Sequence, residues 1–260
     1  MSFRLGVIGS PISHSLSPQL HEAGLRAVGL EGGSTRHEVD QDSFTAFMAT
    51  ASESFDALSV TAPLKTLAYE RAGELTDAAR AVEAVNSLLF RDGKIYGHNT
   101  DGEGFVSALR ARFQTDFADC HVVVLGAGGA ARSIIRSLVQ DGVSSIAVHG
   151  RSEENVNRAC APYSNVFGFS LVYRPVDLVI NTIPSSSRHV EKAVLQGISP
   201  DSAAVDITYE PRQSQWLGLY ENLGCQTDNG LRMLAHQAAA QLTWWLERDF
   251  DGEALLELIA

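Results

Sequence analysis

The segment that most restricts what this 260-residue chain can fold into is His121-Val-Val-Val-Leu125, followed by Gly126-Ala127-Gly128-Gly129-Ala130-Ala131 and a helical run. A short apolar strand that ends in clustered glycine and turns directly into a helix is the opening of an α/β unit. In such a unit Gly126 permits the tight turn and Gly128 lets the main chain approach a pyrophosphate. Ala131 lets the helix pack close to the sheet, which leaves the N–H groups of its first turn for an anion. Small residues also suit a plain strand–helix turn, but a buried strand before and a helix after favour dinucleotide binding.

The next strand of that unit ends at Val148-His149-Gly150-Arg151-Ser152. A site for NAD usually carries a carboxylate at this point, for the ribose 2′-hydroxyl. This strand end has none, since Glu153 falls in the following helical turn. Arg151 stands there instead, and a guanidinium suits a 2′-phosphate through paired charge-assisted hydrogen bonds. Ser152 can add a hydroxyl donor, and NADP is favoured over NAD.

Along the rest of the chain, short β-type runs alternate with helical stretches. Strands are expected at Leu5–Ile8, Arg36–Val39, Ala57–Val60, Ser87–Phe90 and Ile95–His98, then at Val122–Leu125, Ser145–Val148, Leu178–Ile180 and Ala204–Asp206. Helices are expected at Pro18–Val28, Phe44–Thr50, Gly104–Arg112, Ala130–Gln140, Glu153–Cys160, Gln213–Asn222 and Leu231–Glu247. Alternation of this kind argues for parallel sheets covered on both faces, an α/β class. Asp92-Gly93 between two β runs reads as a tight hairpin. The second strand series begins beyond the helix near residue 112, so a domain boundary is expected near Thr100–Asp119.

Composition narrows the partners. At 45% hydrophobic and 20% charged residues the chain can bury a globular core. A net charge of −11 repels phosphate backbones and argues against nucleic acid. An anionic small ligand would then need positive groups of its own nearby. No apolar run approaches the roughly 18 residues of a membrane span, and Met1–Gly9 lacks the apolar core of a signal peptide. Cys120, Cys160 and Cys225 are too scattered for a metal site or a disulfide framework, which fits a reducing cytoplasm. The histidines show no ligand spacing, so no metal is expected.

Three polar clusters follow strands in the first half. In Gly9-Ser-Pro-Ile-Ser-His-Ser15-Leu-Ser17-Pro18, Ser17 reads as a helix N-cap followed by proline at the first helical position. In extended backbone Ser15 and Ser17 would also point the same way, as a pair of hydroxyls for a carboxylate; the residues alone do not decide between these. Lys65, in Val60-Thr61-Ala-Pro63-Leu-Lys65, is one of only three lysines, with Lys94 and Lys192. It is a proton carrier at a strand exit or, as most lysines are, a surface residue starting a helix. Asp101, in Gly97-His-Asn99-Thr100-Asp101, caps the following helix or faces a ligand at the strand exit.

Taken in order with Ala84-Val-Asn86, Asp206-Ile-Thr-Tyr209-Glu-Pro211 and Gly230-Leu-Arg-Met233-Leu-Ala-His-Gln237-Ala, these segments resemble the shikimate dehydrogenase family over nearly the whole chain. The resemblance implies an N-terminal α/β substrate-binding and catalytic domain at 1–101, with 236–260 packing back onto it, and a Rossmann-type NADP-binding domain at 102–235. It implies NADPH-dependent reduction of 3-dehydroshikimate to shikimate in the route to chorismate and the aromatic amino acids. Lys65 and Asp101 would be the catalytic pair. Ser15 and Ser17, with Tyr209 nearby, would hold the substrate carboxylate, and Thr61, Asn86, Asp101 and Gln237 its ring hydroxyls. Gly126, Ala127, Gly128, Gly129 and Ala130, with Arg151, Ser152, Thr182, Ile207, Gly230 and Met233, would hold the cofactor, Met233 beside the nicotinamide. Ser59 stands where many members have Asn, and Glu22 where Asn often follows the matched His21; both leave room for quinate or an amino analogue as substrate. The resemblance leaves a homodimer open.

Overall fold

The structure is a computed structural model that describes residues 2–114, 117–168, 175–183 and 197–259. The chain forms two compact units, Met1–Gly104 with Leu234–Ala260, and Phe105–Met233. The resemblance puts the divisions at 101/102 and 235/236, and part of the expected boundary segment, residues 115–116, lies outside the described residues.

In the first unit the elements are β1 (Phe3–Gly9), α1 (Ser17–Ala27), β2 (Gly32–Glu38), α2 (Phe44–Ser54), β3 (Ala57–Val60), α3 (Lys65–Arg71), β4 (Glu74–Leu75), α4 (Asp77–Val82), β5 (Ser87–Arg91) and β6 (Lys94–His98). The greater part of α9 (Gly230–Leu246) and α10 (Gly252–Leu256) complete it. The sheet order is β2-β1-β3-β5-β6-β4. β1 runs parallel to β2 and β3, whereas β5 is antiparallel to both β3 and β6. This sheet is therefore mixed, where the alternation of elements suggests a parallel one. The reason is local: Asp92 (φ 52°) and Gly93 (φ 70°) close a tight turn of the kind that joins antiparallel strands.

Side-chain alternation splits the core across this sheet. Ile8, Leu58 and Leu88 pack with Phe44, Met48 and Leu64 on one face. Leu5, Ala57 and Leu89 pack with Leu20, Leu25, Leu242 and Trp245 on the other, so that α9 lies in the core of the first unit. Burial of each such aliphatic side chain contributes about 1.5–3 kcal/mol. β2 starts at Gly32, four residues earlier than expected, because this edge strand has almost no apolar pattern. It is held by main-chain pairing along the full length of β1, from Phe3↔Gly32 to Gly9↔Glu38.

The second unit contains β7 (His121–Leu125), α6 (Gly129–Gln140), β8 (Ser145–His149), α7 (Glu153–Cys160), β9 (Val166–Gly168), β10 (Leu178–Asn181), β11 (Ala203–Asp206), α8 (Gln215–Glu221) and β12 (Gln226–Asp228). It also holds most of α5 (Asp101–Phe113). All its described strands are parallel, in the order β12-β11-β10-β7-β8-β9. That is the doubly wound order of a dinucleotide-binding sheet, with the topological switch between β7 and β10. Val122 and Val124 face one core layer with Ile134 and Ile135, and Val123 and Leu125 face the other with Trp216 and Tyr220. Burial on both faces is why these strands read as continuous apolar runs.

Candidate active site

The antiparallel course of β5 decides where the polar residues of the first unit meet. Ser87, at the start of β5, pairs with Ser59 near the end of β3 and with His98 at the end of β6. The exit of β3, the entry of β5 and the exit of β6 therefore share one end of the sheet. Lys65, just beyond β3, comes within 2.6 Å of Asp101 beyond β6, measured from Nζ to Oδ2. Asn86, just before β5, donates from Nδ2 to Asp101 Oδ1 at 2.8 Å. Each carboxylate oxygen thus receives a donor from a different strand end.

The orientation of Asn86 follows from its partners. Its Oδ1 accepts the Thr100 N–H at 2.9 Å, a group that can only donate, so Nδ2 is left for Asp101. Thr100 Oγ1 in turn donates to the main-chain oxygen of Gln237 at 3.1 Å, and Gln237 Oε1 lies 3.3 Å from Asn86 Nδ2. Asp101 and Asn86 are buried, but the Lys65 side chain keeps 18% of its surface exposed. A buried carboxylate holding a partly open ammonium can orient a proton donor toward a bound ligand. Asp101 does not serve as the N-cap of α5, since it is already the first helical residue; the Asn99 Oδ1 accepts its N–H at 3.1 Å.

Strand β1 is parallel to β3, so the loop after Gly9 leaves from the same end of the sheet, and Ser15 and Ser17 lie buried there. The expected extended backbone is not found: Leu16 has helical torsions (φ −91°, ψ −2°) and is itself the N-cap of α1. Ser17 is already the first residue of the helix and is not its cap. Ser15 Oγ accepts the Ser17 N–H at 3.3 Å. Thr61 is half-buried, anchored by its N–H to the Ile8 oxygen at 2.9 Å.

The second unit carries the glycine loop. Gly126 has φ 109°, and its N–H donates to the His149 oxygen at 2.7 Å. A Cβ at Gly126 would lie 2.1 Å from Thr182 Oγ1, so only glycine fits beneath that side chain. A Cβ at Gly128, the N-cap of α6, would meet nothing within 4 Å. This open side is where a phosphate can approach the main chain. No side chain caps α6, and its first helical hydrogen bond is Arg132 to Gly128, which leaves the N–H groups of Gly129, Ala130 and Ala131 for an anion. Arg151 is exposed and makes no ion pair among the described residues. Ser152 caps α7, its Oγ accepting the Asn155 N–H at 3.2 Å, an arrangement in which the O–H can still donate. These features fit a dinucleotide with a 2′-phosphate.

The remaining residues read as cofactor or substrate contacts divide less simply. Thr182 Oγ1 donates to the Leu125 oxygen at 2.8 Å and so locks the glycine turn. Gly230 begins α9 against Ile207, whose oxygen would lie 2.0 Å from a Cβ there. Met233 is buried in the core of the second unit. Tyr209 is half-buried beyond β11 and belongs to the second unit, whereas Ser15 and Ser17 belong to the first.

Three further positions carry little signal in the sequence. Gln241 is fully buried one turn after Gln237 and donates to the Asn86 oxygen at 2.8 Å and to Ser59 Oγ at 3.2 Å. Asp206, also fully buried, accepts from Thr208, Ser214 and Asn181. Arg36, on β2, donates to the Ser15 oxygen. For Asp206 a carboxylate ending an apolar run is a usable signal. Gln241 and Arg36 sit in patterns that also suit a plain helix or edge strand.

Comparison with known proteins identifies the family. A family model described as the shikimate dehydrogenase substrate binding domain matches residues 7–88, and one described as shikimate / quinate 5-dehydrogenase matches residues 108–213. The shikimate dehydrogenase (NADP(+)) of Roseobacter denitrificans is 34% identical over 258 residues, covering 95% of this chain and 93% of its own. That of Chromobacterium violaceum is 36% identical over 258 residues, covering 94% and 93%. A crystal structure of shikimate 5-dehydrogenase from Thermus thermophilus, in complex with NADP(H) and shikimate, superposes with a TM-score of 0.88 at 27% identity, covering 98% of each chain. The chain belongs to the shikimate dehydrogenase family.

Proposed function

We propose that this protein is an NADP-dependent shikimate dehydrogenase, catalysing the reversible reduction of 3-dehydroshikimate to shikimate on the route to the aromatic amino acids. The observation that carries the reading is the Lys65–Asp101 pair at 2.6 Å, braced by Asn86, in a chain whose relatives bear this name. NADPH, when bound, supplies the hydride. Lys65 Nζ donates the proton to the substrate oxygen in reduction and takes it back in oxidation. Asp101 Oδ2 aims that ammonium, and Asn86 keeps the carboxylate from rotating by holding Oδ1. Such positioning contributes at least as much as proton transfer.

Thr61, Asn86, Asp101 and Gln237 are read as partners of the ring hydroxyls, and Ser15 and Ser17, with Tyr209, as partners of the carboxylate. In the second unit the main chain from Gly126 to Ala130 would hold the pyrophosphate, and Arg151 with Ser152 the 2′-phosphate. Thr182, Ile207 and Gly230 would contact the cofactor, with Met233 beside the nicotinamide. Quinate or an amino analogue is the weaker reading, since both relatives named above are shikimate dehydrogenases. Among the described residues no helix is long and apolar enough to cross a membrane, and the cytoplasm is the compartment this reading assigns. A homodimer is compatible with it, and light scattering on the purified protein counts the copies.

The test is the absorbance of NADPH measured with shikimate and quinate against NADP+ and NAD+ in a grid. Turnover with shikimate and NADP+ far above the other three combinations is expected. Faster turnover with quinate would replace the substrate assignment.

A further inference from the structure

A carboxylate entering a chain of net charge −11 needs positive potential close by, and the segment from Ser10 to Ser17 contains no lysine or arginine. The fold brings one in from the neighbouring strand. Arg36 Nε donates to the main-chain oxygen of Ser15 at 2.7 Å, and its Nη2 donates to Gln19 Oε1 at 2.9 Å. Both acceptors are neutral. Unlike Arg4 and Arg91 in the same unit, which pair with Asp56 and Glu247, Arg36 makes no ion pair among the described residues.

The obvious carboxylate for Arg36 is Glu38, two residues on and therefore on the same side of β2. Glu38 is committed elsewhere. Its Oε1 accepts from Ser10 Oγ at 2.6 Å and its Oε2 from the Ile12 N–H at 3.0 Å. The edge strand thus grips the serine loop at two points, through Glu38 at its start and Arg36 at Ser15. The grip leaves a guanidinium charge without a paired carboxylate at the residue that carries the first hydroxyl.

We propose that Arg36 is a positioning and specificity residue for the carboxylate of the substrate. It fixes Ser15 through its carbonyl, which sets the direction of that hydroxyl, and it supplies the positive potential that the loop lacks. The proposal rests on the reading of Ser15 and Ser17 as the groups that bind the carboxylate. It assigns Arg36 to anionic substrates as a class, so that an ester of the same ring gains little from it.

The experiment uses the full-length protein with NADP+ present, as Arg36→Gln, Arg36→Lys and the double variant Ser15→Ala/Ser17→Ala. Shikimate and methyl shikimate are compared by steady-state kinetics and by calorimetric binding. Arg36→Gln is expected to raise KM for shikimate about five- to tenfold, less than the loss of one direct charge-assisted hydrogen bond because Arg36 acts through Ser15 and through potential, with kcat changed by less than about twofold. Affinity for the ester is expected to stay nearly constant, and added salt to narrow the gap between wild type and variant. Arg36→Lys keeps the charge without the two-pronged grip and should recover part of the loss. If the serine double variant weakens the acid selectively while Arg36→Gln leaves its KM unchanged, Arg36 is idle and the serine reading stands. If the serine double variant weakens acid and ester alike, the carboxylate is bound elsewhere and the proposal falls with that reading. A loss of kcat and of melting temperature in Arg36→Gln, equal for both substrates, would reduce Arg36 to a structural role and overturn the proposal.

Discussion

Each unit buries an aspartate at the carboxyl end of its sheet, Asp101 just beyond β6 and Asp206 as the last residue of β11, and the two are surrounded differently. Asp206 accepts from neutral donors, among them Thr208 N–H and Oγ1 at 3.1 and 2.7 Å, Ser214 Oγ at 2.9 Å and Asn181 Nδ2 at 3.3 Å. Two of these residues belong to the loop it must shape, and Ser214 is also the N-cap of α8. Asp101 instead holds the ammonium of a lysine whose side chain keeps part of its surface open. A carboxylate braced by several neutral hydrogen bonds fixes a backbone, whereas one that shares its charge with a partly exposed lysine leaves a proton where a ligand can take it.

The sharpest way to break this contrast is to remove the lysine. Lys65→Ala is expected to lower kcat by roughly 10²–10⁴-fold, the range for loss of a general acid, while circular dichroism shows the fold retained. Near wild-type turnover would put the proton donor elsewhere. The matching change in the second unit acts on stability. Asp206→Ala strips at least four donors of their acceptor and is expected to cost about 3 kcal/mol or more in urea unfolding. Asp206→Asn, which keeps one acceptor oxygen, should cost less. If Asp206→Ala unfolds like wild type but loses turnover, the aspartate belongs to the chemistry after all.

How much of this is legible in the sequence depends on what each residue rests on. β3, β7, β8, β10 and β11 announce themselves because their apolar runs are nearly unbroken and mostly buried. β2 reads four residues late, since the main chain of β1 and not an apolar pattern holds it. Lys65 by its own sequence reads as a surface lysine; its contact with Asp101 needs β5 to run antiparallel between β3 and β6. Asp92-Gly93 hints at that reversal, but its consequence, that Asn86 before a strand meets residues after two others, lies in sheet order. Ser17 resembles a cap because proline follows it, yet helical torsions at Leu16 start α1 one residue sooner. Arg36 gives no sign at all, because a charged residue on an edge strand is the ordinary way to keep that edge soluble.

Beneath the first site lies a group that couples its unit to pH. His21 on α1 is fully buried, hydrogen-bonded through Nδ1 to Ser34 Oγ at 2.8 Å and edge-on to Trp245. Burial draws its pKa from 6.5 down to about 4, against a weaker opposing effect of Gln241. A folded pKa below the unfolded one means that the unfolded chain takes a proton the native state refuses. Stability contributed by neutral His21 is therefore intact above pH 6.5 and is lost as pH falls from there toward 4, by about 2 kcal/mol at pH 5. Urea midpoints at pH 7 and pH 5 should separate for wild type and draw together for His21→Gln. An equal separation in both proteins would place the acid sensitivity in other groups.

The last test reaches the second unit through its ligand. Arg151 and Ser152 both stand just beyond the end of β8, but the structure gives them different work. Ser152 Oγ already accepts the Asn155 N–H as the cap of α7, so Ser152→Ala would disturb the helix as well as any phosphate contact. Arg151 is exposed and makes no ion pair among the described residues, so Arg151→Ala should have little structural consequence and isolate the proposed contact with the 2′-phosphate. A hydrogen bond to a charged partner is worth about 1.5–3 kcal/mol, so affinity for NADP+ should fall on the order of 10–100-fold. NAD+, which lacks the 2′-phosphate, should bind almost as before. The difference should shrink at high salt, because an exposed guanidinium–phosphate pair is screened. Calorimetric titration of both cofactors into wild type and Arg151→Ala reads this directly. An equal loss for the two would mean that Arg151 supports the loop. The preference for NADP would then need another source, because the open approach at Gly128 and the uncapped first turn of α6, proposed to hold the pyrophosphate, would receive that of either cofactor alike.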